Sequence, residues 1–320
     1  MNLDVICIGS AGFDIFISGK QLKPSRLLAE DSITLNNDSS YGIDHAVYEA
    51  GGSALNSSIV FARQGINTGC MARTGKDHLA NQIKIIAKHE GIAVDTLVSR
   101  PEHHTDMKIH IVTERSHEIG LSYDNSSSSL RAKDTKFSKL KAKLVYFSEL
   151  PEDFKVYKYY ASWAKINNVE LAVSLSNLGI YKKRQISYVL STASRVLIPY
   201  GVASGYFGKD ESQIDLIRLI NGFGAKSILM YDVIDKAYAF EDNTIYISNP
   251  YKKSNPLDMT GSEDVFGAAY TAAIFQNKSI PEALTLASAN ACSVMEIFGT
   301  RTGILKKPAL RTMKVETSIL

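Results

Sequence analysis

The stretch Asp258-Met259-Thr260-Gly261-Ser262-Glu263-Asp264 decides how this chain is read. It stands directly before the apolar run Val265 to Phe275, an order that predicts a helix over Glu263–Gln276 with Asp264 in its first turn. A helix start exposes unpaired backbone N–H groups and the positive end of the dipole, so it attracts anions. Gly261 lets the main chain approach a phosphate closely. A first-turn carboxylate can take a proton from an attacking hydroxyl. An anion cradle and a base in line are what phosphoryl transfer needs. Taken alone, the stretch also fits an ordinary helix start, where the dipole favours acids.

Upstream, Glu49-Ala50-Gly51-Gly52-Ser53-Ala54-Leu55-Asn56-Ser57-Ser58 is a glycine pair leading into a helix with an early Asn, expected over Asn56–Gln64 and ended by Gly65. Gly75 and Asp77 follow, and Gly9-Ser10-Ala11-Gly12-Phe13-Asp14 places a carboxylate after the first apolar run, residues 4–9. In open α/β sheets, ligands bind beyond the carboxyl ends of the strands. Asp14, Gly51, Gly52 and Asn56 are expected there. Asp and Asn side chains accept hydrogen bonds, which suits the vicinal hydroxyls of a sugar or ribose.

Strand and helix patterns alternate from Gly69–Thr74 and Leu79–Glu90 onward. Strands are expected at Leu144–Ser148, Glu170–Leu175, Arg195–Pro199 and Ser227–Tyr231, with helices at Phe154–Asn167, Lys182–Ser191, Ser212–Phe223 and Ile280–Phe298. This rhythm predicts a mostly parallel sheet with helices on both faces. Hairpins are expected at Lys108–Thr113 with Glu118–Tyr123, and at Ala237–Phe240 with Thr244–Ile247. The early polar segments fit a small β appendage.

Composition excludes other classes. The chain has 320 residues, 45% hydrophobic and 22% charged, with a formal net charge of +3. That is globular composition without the basic face of a nucleic-acid binder. Lys133, Lys136, Lys139, Lys141 and Lys143 read as a solvated helix face. Cys7, Cys70 and Cys292 are too scattered for a disulfide framework or a zinc site, so a cytoplasmic setting is expected. No signal peptide and no membrane span are read. His103, His104, His110 and His117 fall in a polar hairpin and are expected on its surface rather than on a metal, and no metal-ligating residue is assigned. Gly9-Ser10-Ala11-Gly12 lacks the third glycine and spaced acid of a dinucleotide fold.

The two glycine blocks resemble the signatures of the ribokinase-like (PfkB) carbohydrate and nucleoside kinase family. The first matches from Gly51 through Asn56, Ser58 and Gly65 to Gly75. The second resembles a core reading Asp-Thr-x-Gly-Ala-Gly-Asp-x-Phe, which here is Asp258 to Phe266. Their order and separation agree too, as does Gly299 with Gly303-Ile304-Leu305 near the end. The resemblance implies one ribokinase-like three-layer α/β/α domain over 1–320, with a β lid from about 14–50 and 105–125. It implies ATP with Mg²⁺ as donor, a sugar or nucleoside hydroxymethyl group as acceptor, and a homodimer through the lid. By position, Asp14, Gly51, Gly52 and Asn56 hold the acceptor, Asp264 is the base, and the N–H groups of Gly261, Ser262 and Glu263 hold the transferred anion beside Thr260.

Departures gather on the nucleotide side. Glu263 replaces a glycine. Tyr200-Gly201-Val202-Ala203 stands where the family carries Asn-x-x-Glu, with no carboxylate for a hard cation. Tyr231-Asp232-Val233-Ile234-Asp235-Lys236 replaces a Thr-x-Gly-x-x-Gly loop, and Ser288 stands for an Asn. These changes set ATP and Mg²⁺ in question. They leave a second reading open: a pseudokinase that binds a sugar, a nucleoside or a protein partner without efficient transfer.

Overall fold

The computed structural model describes residues 2–22, 33–112, 118–124, 130–134, 140–208, 211–250, 256–306 and 315–319. Its logic is visible in β1 (Val5–Ile8), where all four residues are buried. Val5 and Cys7 enter the core on one face of the sheet, Ile6 and Ile8 the core on the other. A strand apolar at every position has no solvent face and belongs inside a parallel sheet.

β1 pairs in parallel with β4 (Thr68–Met71) on one side and β9 (Leu144–Phe147) on the other. The parallel run continues through β10 (Glu170–Ser174), β11 (Arg195–Pro199) and β12 (Ile228–Tyr231). Three antiparallel strands extend it: β13 (Ala237–Glu241), β14 (Thr244–Ser248) and β15 (Val315–Ile319). The nine-stranded order is β15-β14-β13-β12-β11-β10-β9-β1-β4. Packed on it, among the described residues, are α1 (Ser53–Arg63), α2 (His78–His89), α3 (Phe154–Asn167), α4 (Lys183–Thr192), α5 (Tyr200–Phe207), α6 (Gln213–Gly222), α7 (Ser262–Phe275) and α8 (Ile280–Met295). Residues of α1, α2, α7 and α8 share one core, and residues of α3, α4, α5 and α6 the other, giving an α/β/α sandwich. No described helix is long and apolar enough to cross a membrane.

A second, four-stranded sheet has the order β3-β2-β7-β8, from β2 (Gly12–Ser18), β3 (His45–Gly51), β7 (Met107–Val112) and β8 (Glu118–Tyr123). β2 leaves directly from the carboxyl end of β1, and β3 runs directly into α1, so this sheet stands over that end.

The structure departs from the sequence expectations in several places. α1 begins at Ser53, not Asn56, because Gly52 takes φ 99° and Ala54 N donates to Ser10 O at 3.0 Å. The strand expected over Gly69–Thr74 breaks after Met71. β5 (Arg73–Thr74) pairs instead with β6 (Val98–Ser99) in a separate two-stranded sheet. β11 turns straight into α5, and β15 was not foreseen. The lysine run forms no helix face among the described residues: Lys133 sits in a 3-10 turn at Ala132–Asp134, while Lys141 bridges Asn2 and Lys143 lies 2.8 Å from Asp4. Main-chain pairing with the first residues holds that segment extended. Lys136 and Lys139 lie outside the described residues.

The 3-10 turn carries an unanticipated interaction. The Asp134 side chain is fully buried, 3.2 Å from Arg73, paired with Arg100, and accepts from Arg131 N at 2.9 Å. Burial acts to raise its pKa. The Arg100 and Arg131 hydrogen bonds and the charges of Arg73 and Arg100 outweigh it and hold the carboxyl below its usual range. Removing one member of a buried ionic set strands the others. Asp134→Ala is therefore expected to cost about 3–5 kcal/mol in urea unfolding. A loss under about 1 kcal/mol, the worth of a surface pair, would show the cluster to be solvated.

Candidate active site

Two helices begin at the same place. α1 starts after Gly52 and α7 after Gly261, both glycines having positive φ (99° and 74°) that side chains rarely adopt. Space is as tight as conformation: a Cβ on Gly51 would fall 2.1 Å from Asp14 Oδ2, and one on Gly261 would fall 3.2 Å from both Asn56 Nδ2 and Thr300 Cβ. Asn56, in the first turn of α1, donates from Nδ2 to Asp264 Oδ2 at 3.3 Å. The structure thus brings Asp14, Gly51, Gly52, Asn56, Gly261 and Asp264 together.

The loop before α7 is held from within. Asp258 Oδ1 accepts from Thr260 N (2.9 Å) and Thr260 Oγ1 (2.7 Å), and its Oδ2 accepts from Gly299 N at 3.2 Å. Thr260 therefore braces the loop. Ser262 is buried and spends both its donors on Met259 O, N at 3.1 Å and Oγ at 2.6 Å. Of the three amides expected to hold an anion, Ser262 N is thus already engaged. Among the described residues, the Gly261 and Glu263 amides have no protein acceptor.

Asp264 sits among acids. Burial, then the charges of Glu149, Glu263 and Asp14, raise its carboxyl to about 7, with the Asn56 hydrogen bond opposing. Glu149, just beyond β9, is itself raised by burial, against hydrogen bonds from Ser10 and Ser53. The sequence reading passed over Glu149, although its place just after a core strand was the available signal. It lines a cavity of about 240 Å³, while Ser10, Phe13, Asp14, Gly52 and Asp106 line another of about 150 Å³, and Asp124 borders both.

Two further residues were missed. Glu49, buried at the end of β3, accepts from Thr300 N (2.9 Å), Arg301 N (3.2 Å) and the Thr302 hydroxyl, tying the four-stranded sheet to the loop after α8. His110 corrects the surface expectation for the histidines. It is fully buried on β7, with Nε2 3.0 Å from Asp14 Oδ1, because the pairing of β7 with β2 sets it opposite Phe16 on the Asp14 face. His104 is exposed and His103 half-buried. His117 lies outside the described residues.

The opposite side of the Gly261 loop is different in character. β12 and β13 are joined by a tight turn in which Asp232 N donates to Lys236 O at 3.0 Å and Ile234 N to Asp232 Oδ1 at 3.0 Å. Tyr231 is buried, stacks on Phe266 at 4.8 Å and donates to Glu263 O at 3.3 Å. Glu263 is exposed. Burial, then the charge of Asp232, holds its carboxyl above the usual range. Ser288 is buried in α8.

Residues 26–307 match the pfkB family of carbohydrate kinases. The chain belongs to that family. That family is one of carbohydrate kinases, and the architecture is the ribokinase-like fold. Similar structures include adenosine kinase from Sinorhizobium meliloti, at 20% identity over 94% of this chain and 96% of that one, TM-score 0.78. Ribokinase from Arabidopsis thaliana, complexed with ribose and ATP, is 16% identical over 95% and 96%, TM-score 0.75. An Escherichia coli chain described as a ribokinase II, in complex with ATP and Mg²⁺, is 15% identical over 95% and 96%, TM-score 0.76. At these identities the likeness is one of fold.

In this PfkB chain the Gly261 loop suits a phosphoryl group through the Gly261 and Glu263 amides, which have no protein acceptors among the described residues. The side chains after β11, from Tyr200 to Ala203, do not fit magnesium, and α5 begins at the first of them. Among the described residues, no group of three or more His, Cys, Asp or Glu is placed to hold a metal.

Two outcomes follow. Glu263→Gly, by removing a carboxylate beside the anion loop, is expected to tighten Mg·ATP binding about tenfold in calorimetry, since like charges near a protein surface repel by kcal/mol amounts. Unchanged affinity would mean that the carboxylate turns away. Asp264 is raised from about 3.9 in an unfolded chain to about 7 when folded. The folded state therefore holds the proton more tightly, and the stability that this confers is lost as pH rises from about 4 through about 7. Asp264→Asn should melt above wild type at about pH 8 and lose most of that advantage by about pH 5 and the rest near about pH 4; a pH-independent difference would contradict the raised value.

Proposed function

We propose that this chain transfers the γ-phosphoryl group of ATP to a hydroxymethyl group of a sugar or nucleoside, with Asp264 as general base. The observation that carries this reading is the placement of Asp264. Its carboxyl is poised at about 7, it stands in the first turn of α7, and Asn56 of the other helix start holds it. A base with a constant near the working pH is both available and strong enough to draw the hydroxyl proton. The acceptor's neighbouring hydroxyls meet Asp14, which lines the cavity under the four-stranded sheet, and then Asn56 at the start of α1; that sheet serves as the lid. The Gly261 and Glu263 amides hold the transferred group and stabilise its charge. The relatives solved with ribose, ATP and Mg²⁺ support the substrate classes.

Lid residues Tyr48, Leu121 and Tyr123, on the sheet face opposite Asp14, are exposed, and this apolar face supports a homodimer through the lid. A second reading has its own observation. The Glu263–Asp232 pair puts two acids where the donor's phosphates pass, which favours a pseudokinase that keeps the acceptor site and uses ATP poorly.

The test is coupled ADP release from Mg·ATP over a panel of sugars and nucleosides. Acceptor-dependent turnover that falls by about 10²–10⁴ in Asp264→Asn is expected. Acceptor binding without turnover, by any nucleoside triphosphate, would instead establish the pseudokinase.

A further inference from the structure

Asp14 is the carboxylate that the proposed function assigns to acceptor hydroxyls, yet one of its two oxygens is already occupied. β2 and β7 are adjacent and parallel, and their register sets Asp14 beside Lys108 and Phe16 beside His110. Directly opposed residues share a face of the sheet. Asp14, Phe16 and His110 therefore point the same way, into the molecule. The His110 ring stacks on Phe16 with centroids 4.3 Å apart and planes 12° from parallel. That stack fixes the imidazole plane. Its Nε2 then lies 3.0 Å from Asp14 Oδ1, with the His110 side chain 0% and the Asp14 side chain 13% exposed. On the other flank of β7, Gly120 of β8 stands opposite His110.

The second oxygen points elsewhere. Oδ2 is the atom that a Cβ on Gly51 would strike, and that same Cβ would lie 2.8 Å from Thr300 Oγ1. Oδ2 thus faces the meeting point of the two helix starts, on the side of Asp264. A carboxylate with both oxygens unrestrained can turn about its last bond and offer either one. A carboxylate with Oδ1 committed cannot.

We infer that His110 is a positioning residue: its Nε2–H donates to Asp14 Oδ1 and leaves Oδ2 as the one oxygen presented to the hydroxyls of a polyol acceptor. This inference rests on the sugar or nucleoside reading of the site. The device runs through β7, so the four-stranded sheet itself sets the orientation of the acceptor's carboxylate. Preorganising a hydrogen-bond acceptor lowers the cost of orienting the ligand and is lost when the supporting group is removed.

The experiment uses the full chain with two substitutions, and D-ribose and adenosine as probes. His110→Phe keeps the stack on Phe16 and removes the donor. His110→Gln places an amide donor near the position of Nε2. Imidazole ¹⁵N spectra, with the His110 signals assigned by their loss in His110→Phe, are expected to show a protonated Nε2 in the wild type; a bare Nε2 overturns the proposal. For the probe that is turned over or bound, KM or Kd should rise about tenfold in His110→Phe, the worth of one hydrogen bond to a charged group. kcat should stay within about twofold, and His110→Gln should recover most of the loss. An affinity equal to wild type in His110→Phe, or equal losses in both variants, overturns it. The spectrum needs no ligand. A wild type that uses neither probe therefore weighs against the proposed function for those two acceptors, while the state of Nε2 still decides for or against the hydrogen bond.

Discussion

The molecule depends on two helices starting at one point. α1 and α7 come from segments some two hundred residues apart, and the 3.3 Å hydrogen bond from Asn56 to Asp264 is where they meet. Glycine makes the meeting sterically possible. Gly52 and Gly261 supply the positive φ that turns each chain into its helix, and Gly51 leaves room for Asp14. The rest of the fold serves that geometry. The parallel strands deliver their carboxyl ends beneath it, and Asp258 and Glu49 pin the loop at Gly299–Thr302 against it. β2 and β3 carry Asp14 and Glu49 in from the second sheet.

The electrostatics of the point divide it in two. Asp14, Glu149 and Asp264 lie on what the proposed function makes the acceptor side, and burial with repulsion from the other acids raises the Asp264 carboxyl to about 7. Glu263 and Asp232 lie on the other side, where repulsion acts against a polyphosphate instead. On the proposed function, the same physics favours chemistry in the acceptor half of the site and weakens donor binding in the other half.

The parts of this arrangement that local sequence specifies were readable. Alternation and helix periodicity gave the parallel core, and the two glycine blocks marked both helix starts, since only glycine suits their backbone. The positions of Asp14, Asn56 and Asp264 at strand and helix ends followed from the same blocks. What escaped depends on contacts between distant segments. His110 sits in a polar-looking strand, and only the pairing of β7 with β2 turns it into the core beside Asp14. Glu49 reads as a lid residue until the loop at Thr300 closes on it. Glu149 carries no motif; its effect on Asp264 comes from the end of β9 lying beside the start of α7. β15 is separated from β14 by two helices, and α5 fills a stretch for which no element was expected.

The most direct measurement is the pH dependence of turnover with the best acceptor. The account predicts that kcat/KM rises tenfold per pH unit in acid and levels off through a single deprotonation near 7, the value to which burial and the neighbouring acids raise Asp264. A rate that is flat from about pH 5 to about pH 8, or that levels off near the ordinary carboxylate value of about 4, would contradict Asp264 as the base.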